Sequence, residues 1–338
     1  MHNKVLITGV CGFIGSHLLD LLIAQQNFSI IGIDNLTSGK LKNIEKHLNS
    51  RKFEFYNTDI RDEVSLSKIL KECDLVIHLA GLADVVPSIN NPSEYFDVNV
   101  NGTLKLLETC RKLEIKRFIY AASSSCYGDD PILPTSENNQ IETKYPYALT
   151  KFMGEELTKH WAEVYGIRSI SLRFFNVYGP RSRTSGVYGA VFGVFLAQKL
   201  ANKPLTIVGD GNQERDFTYV RDAVRAISLA AEKIDMMKSK FSVFNVGSNN
   251  PQSINSLASL ISSKNVHIPD RPGEPRITCA DNLKIKENLN WFPTVNFDEG
   301  VKLTLLNIED WRDAPVWDAE TIGEATADWF KFMGSNDH

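Results

Sequence analysis

Three residues in this chain could do chemistry together: Ser123, Tyr147 and Lys151. Tyr147 and Lys151 are four apart, so on a helix both side chains leave from one face. A free phenol with a pKa of about 10 is a poor base at neutral pH. A nearby ammonium stabilises the phenolate and brings that pKa down. Ser123, in the run S-S-S-C-Y-G, can hydrogen-bond the oxygen that reacts. Such a set suits proton transfer at a hydroxyl group. It needs a strand ending near Ser123 and a helix carrying the Tyr/Lys pair. Arg117–Ala122 reads as that strand. Residues from about Pro146 to Tyr165 read as that helix, with apolar residues at Leu149, Phe152, Met153, Leu157, Trp161 and Val164 in its period. Pro146 suits the first helical turn.

Upstream lies a glycine turn, G-V-C-G-F-I-G, with Gly9, Gly12 and Gly15 enclosing Phe13 and Ile14. It joins a strand at Val5–Thr8 to a helix at Phe13–Gln25. Glycines there allow a tight turn and bring backbone close to a pyrophosphate, which rests on the helix N-terminus. A second strand, Ser29–Asp34, ends on an acid 19 residues after Gly15. A carboxylate at that place can hold the adenosine ribose diol. The following Asn35-Leu36-Thr37 offers no arginine for a 2′-phosphate, so NAD is expected rather than NADP. Asp59 and Ile60 follow a third strand, Phe53–Tyr56, and suit the adenine edge and ring. Leu79, Ala80 and Gly81 follow a fourth, Leu75–Leu79, where small residues let the cofactor pass. His78 reads as a packed structural histidine.

Strands spaced by helices point to βαβ units and a parallel sheet. The strands are continuous apolar runs, which suits a sheet covered on both faces. A helix over about Ser93–Leu113, a sixth strand at Ser169–Phe174, a helix at Val220–Glu232 and a strand at Val243–Val246 complete the pattern. The fold class is α/β: a doubly wound parallel Rossmann sheet with a smaller α/β lid domain for substrate. The dinucleotide domain is expected over residues 1–175 plus about 216–247, and the substrate domain over about 176–215 and 248–338. After Gly179-Pro180 the pattern loosens into loops and short elements.

Composition narrows the function classes. The chain has 338 residues, 43% hydrophobic and 23% charged, enough for a large core. The net charge of -4 without a basic block argues against nucleic acid as a partner. No apolar run reaches the roughly 18 residues that span a bilayer. The N-terminus runs straight into the first strand and leaves no room for a cleaved signal. Five scattered cysteines without C-x-x-C spacing suit reduced thiols and a cytoplasmic location. Seven histidines form no H-x-x-x-H pair, so no metal is expected.

The sequence resembles the extended short-chain dehydrogenase/reductases, and among them the nucleotide-sugar epimerases and dehydratases. The carriers are G-V-C-G-F-I-G, H-L-A-G, A-S-S-S-C-Y-G, Y-P-Y-A-L-T-K, L-R-F-F-N-V-Y-G-P, G-D-G-N-Q-E-R-D-F and R-P-G-E-P-R. It looks most like the UDP-hexose 4-epimerases. The resemblance implies further sites. Asn99 matches a position near the nicotinamide, and Lys151 also holds the nicotinamide ribose. Asn176 matches a ligand of the substrate's diphosphate or sugar, and Ser125 lies where substrate is bound. Arg215 and Arg271 match arginines that grip the diphosphate, where a guanidinium fork suits phosphate oxygens. Glu274 takes the place of an acid near the nucleotide ribose. A homodimer through the Ser93–Leu113 and Tyr147–Tyr165 helices is implied too.

Within the family, 4,6-dehydratases carry Thr-Asp-Glu where this chain has Ser123, Ser124 and Ser125. The acid/base pair for dehydration is missing, and the decarboxylases are disfavoured for the same reason. The implied reaction is therefore 4-epimerisation of a nucleotide sugar, with UDP-glucose/galactose and possible UDP-N-acetylhexosamines as substrates. Thr278 takes the place of a residue that gates the sugar pocket, and a small side chain leaves room for an N-acetyl group. Arg183 falls near a carboxylate-binding arginine of uronate epimerases, which keeps a UDP-uronate or another nucleotide sugar open as the alternative, with a non-catalytic NAD-binding protein of the same fold as the reading from a different class. The C-terminal W-R-D-A-P-V-W-D stretch and a helical pattern over Ala319–Phe332 lie outside the epimerase pattern. They read as packing on the body or on a partner.

Overall fold

The computed structural model describes residues 4–182, 191–270 and 273–334. Seven strands form one sheet: β1 (Lys4–Thr8), β2 (Ser29–Asp34), β3 (Phe53–Asn57), β4 (Leu75–His78), β5 (Arg117–Ser123), β6 (Arg168–Phe174) and β7 (Phe241–Val246). Their order is β7-β6-β5-β4-β1-β2-β3, and every pair is parallel. The order reverses between β1 and β4, so their carboxyl ends diverge and open a crevice.

The helices that matter for function are α1 (Phe13–Gln25), α2 (Val85–Asn90), α3 (Gly102–Lys112), α4 (Pro146–Tyr165), α5 (Val191–Leu200), α6 (Val220–Lys233), α7 (Ala319–Ala325) and α8 (Ala327–Met333). Alternate residues of one strand serve opposite faces. Val5 and Ile7 of β1 join a core with Leu18 and Leu19 of α1 and Ile227 of α6. Leu6 between them joins a second core with Leu106 and Leu107 of α3. Both faces are covered, which is why these strands carry no polar alternation.

Outside the sheet the described residues form three small two-stranded pairings. Leu205–Val208 pairs with Asn265–Ile268, and Glu214–Arg215 pairs with Gln252–Ser253. Val177–Tyr178 pairs with Thr218–Tyr219.

Four expectations change. The stretch after Gly179 contains regular helices, among them α5 and Ile254–Ile261. The helix expected over Ser93–Leu113 is continuous but takes a π turn at Phe96–Asn101, which carries Asn99. The pattern over Ala319–Phe332 breaks at Thr326 into α7 and α8. Finally, the apolar row of α4 is only partly buried, with Phe152, Leu157 and Trp161 against the cores. The helix turns Ala148, Lys151, Gly154, Glu155, Thr158 and Ala162 inward, while Leu149 and Val164 are exposed. A Cβ at Gly154 would collide with the Tyr120 hydroxyl, so small residues let α4 lie close on β5.

Candidate active site

The three reactive residues meet at the carboxyl end of β5. Ser123 is its last residue, and its Oγ accepts hydrogen bonds from the Ser125 N–H at 3.2 Å and the Ser125 hydroxyl at 2.8 Å. A hydroxyl has one proton to give, and these bonds leave that of Ser123 for a neighbour. Tyr147 sits in the first turn of α4 between two rings. Tyr145 stacks on it and Tyr95 meets it edge-on, each with centroids 6.5 Å away. Burial raises the Tyr147 phenol, and a hydrogen bond from Ser123 works against it.

Lys151 is buried with its ammonium 4.4 Å above the Tyr120 ring. Its Nζ lies 3.8 Å from where a Cβ on Gly81 would stand. The expected effect of Lys151 on the phenol differs here. Ser123 is the group that lowers Tyr147, and the lysine faces the strand end after β4. Burial pushes Lys151 down to about 7, with Glu155 opposing. In the unfolded chain the same amine keeps its proton to about 10.5. Between pH 7 and 10.5 the unfolded state therefore binds more protons, and stability rises with pH. Melting of the cofactor-free protein across that range should show the rise, and Lys151→Met should flatten it. An unchanged slope in the variant would contradict the burial of this amine.

One cleft of about 690 Å³ runs past these residues along the carboxyl edge of the sheet. Gly9, Gly12, Phe13, Ile14 and Gly15 line its start. Gly9 has φ +71°, and a Cβ there would stand 2.8 Å from the Ala80 nitrogen. A side chain would close the gap where backbone meets backbone. Asp34 lines the same stretch with its carboxylate accepting the N–H groups of Cys11 at 2.9 Å and Leu36 at 2.8 Å. Next along the wall stand Asn35, Asp59 and Ile60. Asn35 donates to Asp59 at 2.8 Å, and the Arg61 guanidinium holds the Asp59 carboxyl far below the usual range. Leu79, Ala80 and Gly81 follow. These residues fit a dinucleotide: a backbone concavity for phosphates, then a fixed carboxylate for a diol. A 2′-phosphate beside Asp34 would meet like charge.

Asn99 behaves differently from the expectation. It is buried, and its amide accepts the Leu82 N–H at 2.8 Å and donates to the Leu82 carbonyl at 3.0 Å and to Thr150 at 3.1 Å. It holds the loop after β4 against α4 and does not itself line the cleft. His78 is a packed residue as expected, between Thr8 at 2.8 Å and Thr103 at 3.0 Å.

The far half of the cleft gathers Ser125, Asn176, Arg215, Glu274 and Thr278. Asn176 has φ +27°, so its backbone is strained where it lines the wall. Thr278 donates to its amide oxygen at 3.3 Å. Arg215 donates to the carbonyls of Glu214 at 3.0 Å and Pro275 at 2.8 Å, and to the Glu274 carboxylate at 3.0 Å. Its fork is thereby fixed. Arg183 and Arg271 lie outside the described residues. Sequence reasoning missed Tyr145, Asp129, Ile322 and Trp329, which also line this half. The helical pattern over Ala319–Phe332 carries Ile322 and Trp329 but gives no sign that they meet Asp129 and Tyr145 at the cleft.

The sequence model of the family described as GDP-mannose 4,6 dehydratase matches residues 6–304. The chain belongs to this family. Members of the family with solved structures superpose on it along nearly all their length. A UDP-glucose 4-epimerase of Thermotoga maritima, solved with UDP-glucose, is 34% identical with a TM-score of 0.83. That match covers 90% of this chain and 98% of the relative. A UDP-N-acetylglucosamine 4-epimerase of Methanobrevibacter ruminantium, solved with UDP-N-acetylmuramic acid, is 34% identical with a TM-score of 0.85 over 91% and 99%. A UDP-glucuronic acid 4-epimerase of Bacillus cereus, solved with UDP-glucuronic acid and NAD, is 34% identical with a TM-score of 0.82 over 90% and 99%. The extended short-chain dehydrogenase/reductase fold anticipated from the motifs is the fold of this family.

Proposed function

We propose that this chain is an NAD-dependent UDP-sugar 4-epimerase. One observation carries the choice within the family: the strand end beside Tyr147 presents Ser123, Ser124 and Ser125, all on the cleft wall. Dehydration across carbons 5 and 6 needs an acid and a base at those places, and serines supply neither. Proton transfer at one hydroxyl needs only one base.

When bound, NAD supplies the reversible oxidation at carbon 4. The Tyr147 phenolate would take the proton from the sugar 4-hydroxyl, becoming the phenol, and later return it to the same oxygen. Ser123 gives its one proton to the phenolate before the transfer, which favours the charged form of the base, and to the sugar oxygen after it. Lys151, against Gly81, holds the cofactor ribose. Gly9, Gly12 and Gly15 carry the pyrophosphate, and Asp34 takes the adenosine ribose diol. At the other end Arg215 and Asn176 grip the diphosphate, and Glu274 orients Arg215. A sugar held by its diphosphate can turn over between the two steps and present its other face. The small Thr278 leaves room for an N-acetyl group. The division into a dinucleotide domain and a substrate domain belongs to the same proposal.

Among the described residues no helix is long and apolar enough to cross a membrane. We place the enzyme in the cytoplasm, in keeping with its free cysteines. A homodimer is supported by the outward row of α4, where Leu149, Val164 and Tyr165 are exposed.

The purified protein, with no NAD added, is incubated separately with UDP-glucose, UDP-N-acetylglucosamine and UDP-glucuronate, and the anomeric protons are followed by NMR. A C4-epimer signal from one of the first two is expected. No epimer from any sugar, with NAD detected in the protein, would overturn the proposal.

A further inference from the structure

The family match ends at residue 304, but the described chain continues to residue 334 and returns to the cleft. It leaves from the half of the molecule that carries α5. Trp311 is buried there, Arg181 donates its N–H to Asp310 at 3.1 Å, and Gln198 of α5 donates to the Trp317 carbonyl at 2.7 Å. Asp318 then caps α7, accepting the Thr321 N–H at 2.9 Å. After the break at Thr326, α8 crosses to pack on α2, the helix that follows β4. Its Trp329 is 1% exposed and its ring lies 5.9 Å from that of Tyr145, which stacks on Tyr147. Near the end of α8, the Met333 methyl stands 3.0 Å from where a Cβ on Gly273 would be, one residue before Glu274. Ile322 and Trp329 both line the cleft.

We propose that residues 305–334 form a strap over the sugar end of the cleft, with Trp329 and Ile322 as a specificity-determining wall for an uncharged hexose. The inference rests on the nucleotide-sugar reading above. The indole, tilted 45° against Tyr145, puts an apolar edge on the cleft wall where the C–H groups of a pyranose would pass. Asp129 brings a carboxylate to the same end of the cleft, beside Gly273 and Met333, so a carboxylated sugar would meet like charge beside an apolar wall. The strap joins the two sides of the cleft, and truncating its indole widens the pocket without touching the groups that hold the diphosphate.

The test compares wild-type holoenzyme with Trp329→Ala and Trp329→Phe. It measures kcat/KM for UDP-glucose and UDP-N-acetylglucosamine and the inhibition constant of UDP. Trp329→Ala should lower kcat/KM for UDP-glucose at least tenfold. It should shift the ratio of the two sugars at least fivefold towards the bulkier one and leave the UDP constant within twofold. Trp329→Phe should restore the wild-type ratio to within twofold. A ratio and rate in Trp329→Ala within twofold of wild type overturn the strap while leaving the epimerase reading intact. A wild-type protein that converts neither sugar overturns the reading, and the strap with it. If Trp329→Ala loses its NAD or its melting transition, Ile322→Ala is measured instead. A threefold shift of the ratio in the same direction supports the wall, and an unchanged ratio overturns it.

Discussion

Tyr147→Phe should lower kcat/KM by about a thousandfold, the usual scale for loss of a positioned general base. The cost is large because no other described group can replace the hydroxyl. Ser123 is next to it but has no tendency to give up its proton at neutral pH, and Lys151 faces Gly81. The fold should not notice the change. The Tyr147 ring keeps its contacts with Tyr95 and Tyr145, and only one oxygen is lost. NAD content and melting temperature should therefore match wild type. Turnover that survives intact in this variant would remove Tyr147 from the mechanism, whatever the substrate.

Glu155→Leu should have the largest effect on stability. Glu155 lies one turn after Lys151 on α4 and is 2% exposed. Its carboxylate receives the Arg173 guanidinium, with Nε 3.1 Å from Oε2, and the Ser171 hydroxyl at 2.7 Å. Arg173 also donates to the Tyr127 hydroxyl at 2.8 Å, and that hydroxyl donates to Asn245 of β7 at 2.7 Å. Taking away one member of a buried ion pair leaves the other charge without compensation, which costs about 3–5 kcal/mol. The denaturant midpoint should fall accordingly at unchanged slope. Glu155→Leu combined with Arg173→Met should cost less than Glu155→Leu alone, since no charge is then left buried. A double variant less stable than the single one would mean that the pair does more than neutralise itself. Glu155 also opposes the burial of Lys151, so the single variant should make that ammonium harder to hold.

Much of the dinucleotide half was legible in the sequence because its signals are local. Gly9, Gly12 and Gly15 must follow a strand and open a helix, and Asp34 must end the next strand. Both conditions follow from short stretches of chain. Tyr147 and Lys151 are likewise one helical turn apart. The misreadings have one cause. The apolar period of α4 indicates a helix but not which face meets the sheet, and that face carries Ala148, Gly154 and Ala162 because the backbone must come close to Tyr120. Asn99 looked like a cofactor ligand, yet its amide bonds Leu82 and Thr150 from behind Gly81. Which face meets which neighbour is decided by partners distant in sequence. Trp329 is the extreme case: its helical period is visible, but Tyr145 lies 184 residues earlier. No local pattern could join them.

The central claim is that carbon 4 is oxidised and reduced within one bound state. UDP-glucose deuterated at carbon 4 tests it most directly, in ordinary water and without added NAD. The account predicts UDP-galactose that retains deuterium at carbon 4, formed more slowly than from the unlabelled sugar. Epimer in which the label has been replaced by solvent hydrogen would contradict it, because inversion would then proceed by proton exchange at carbon 4.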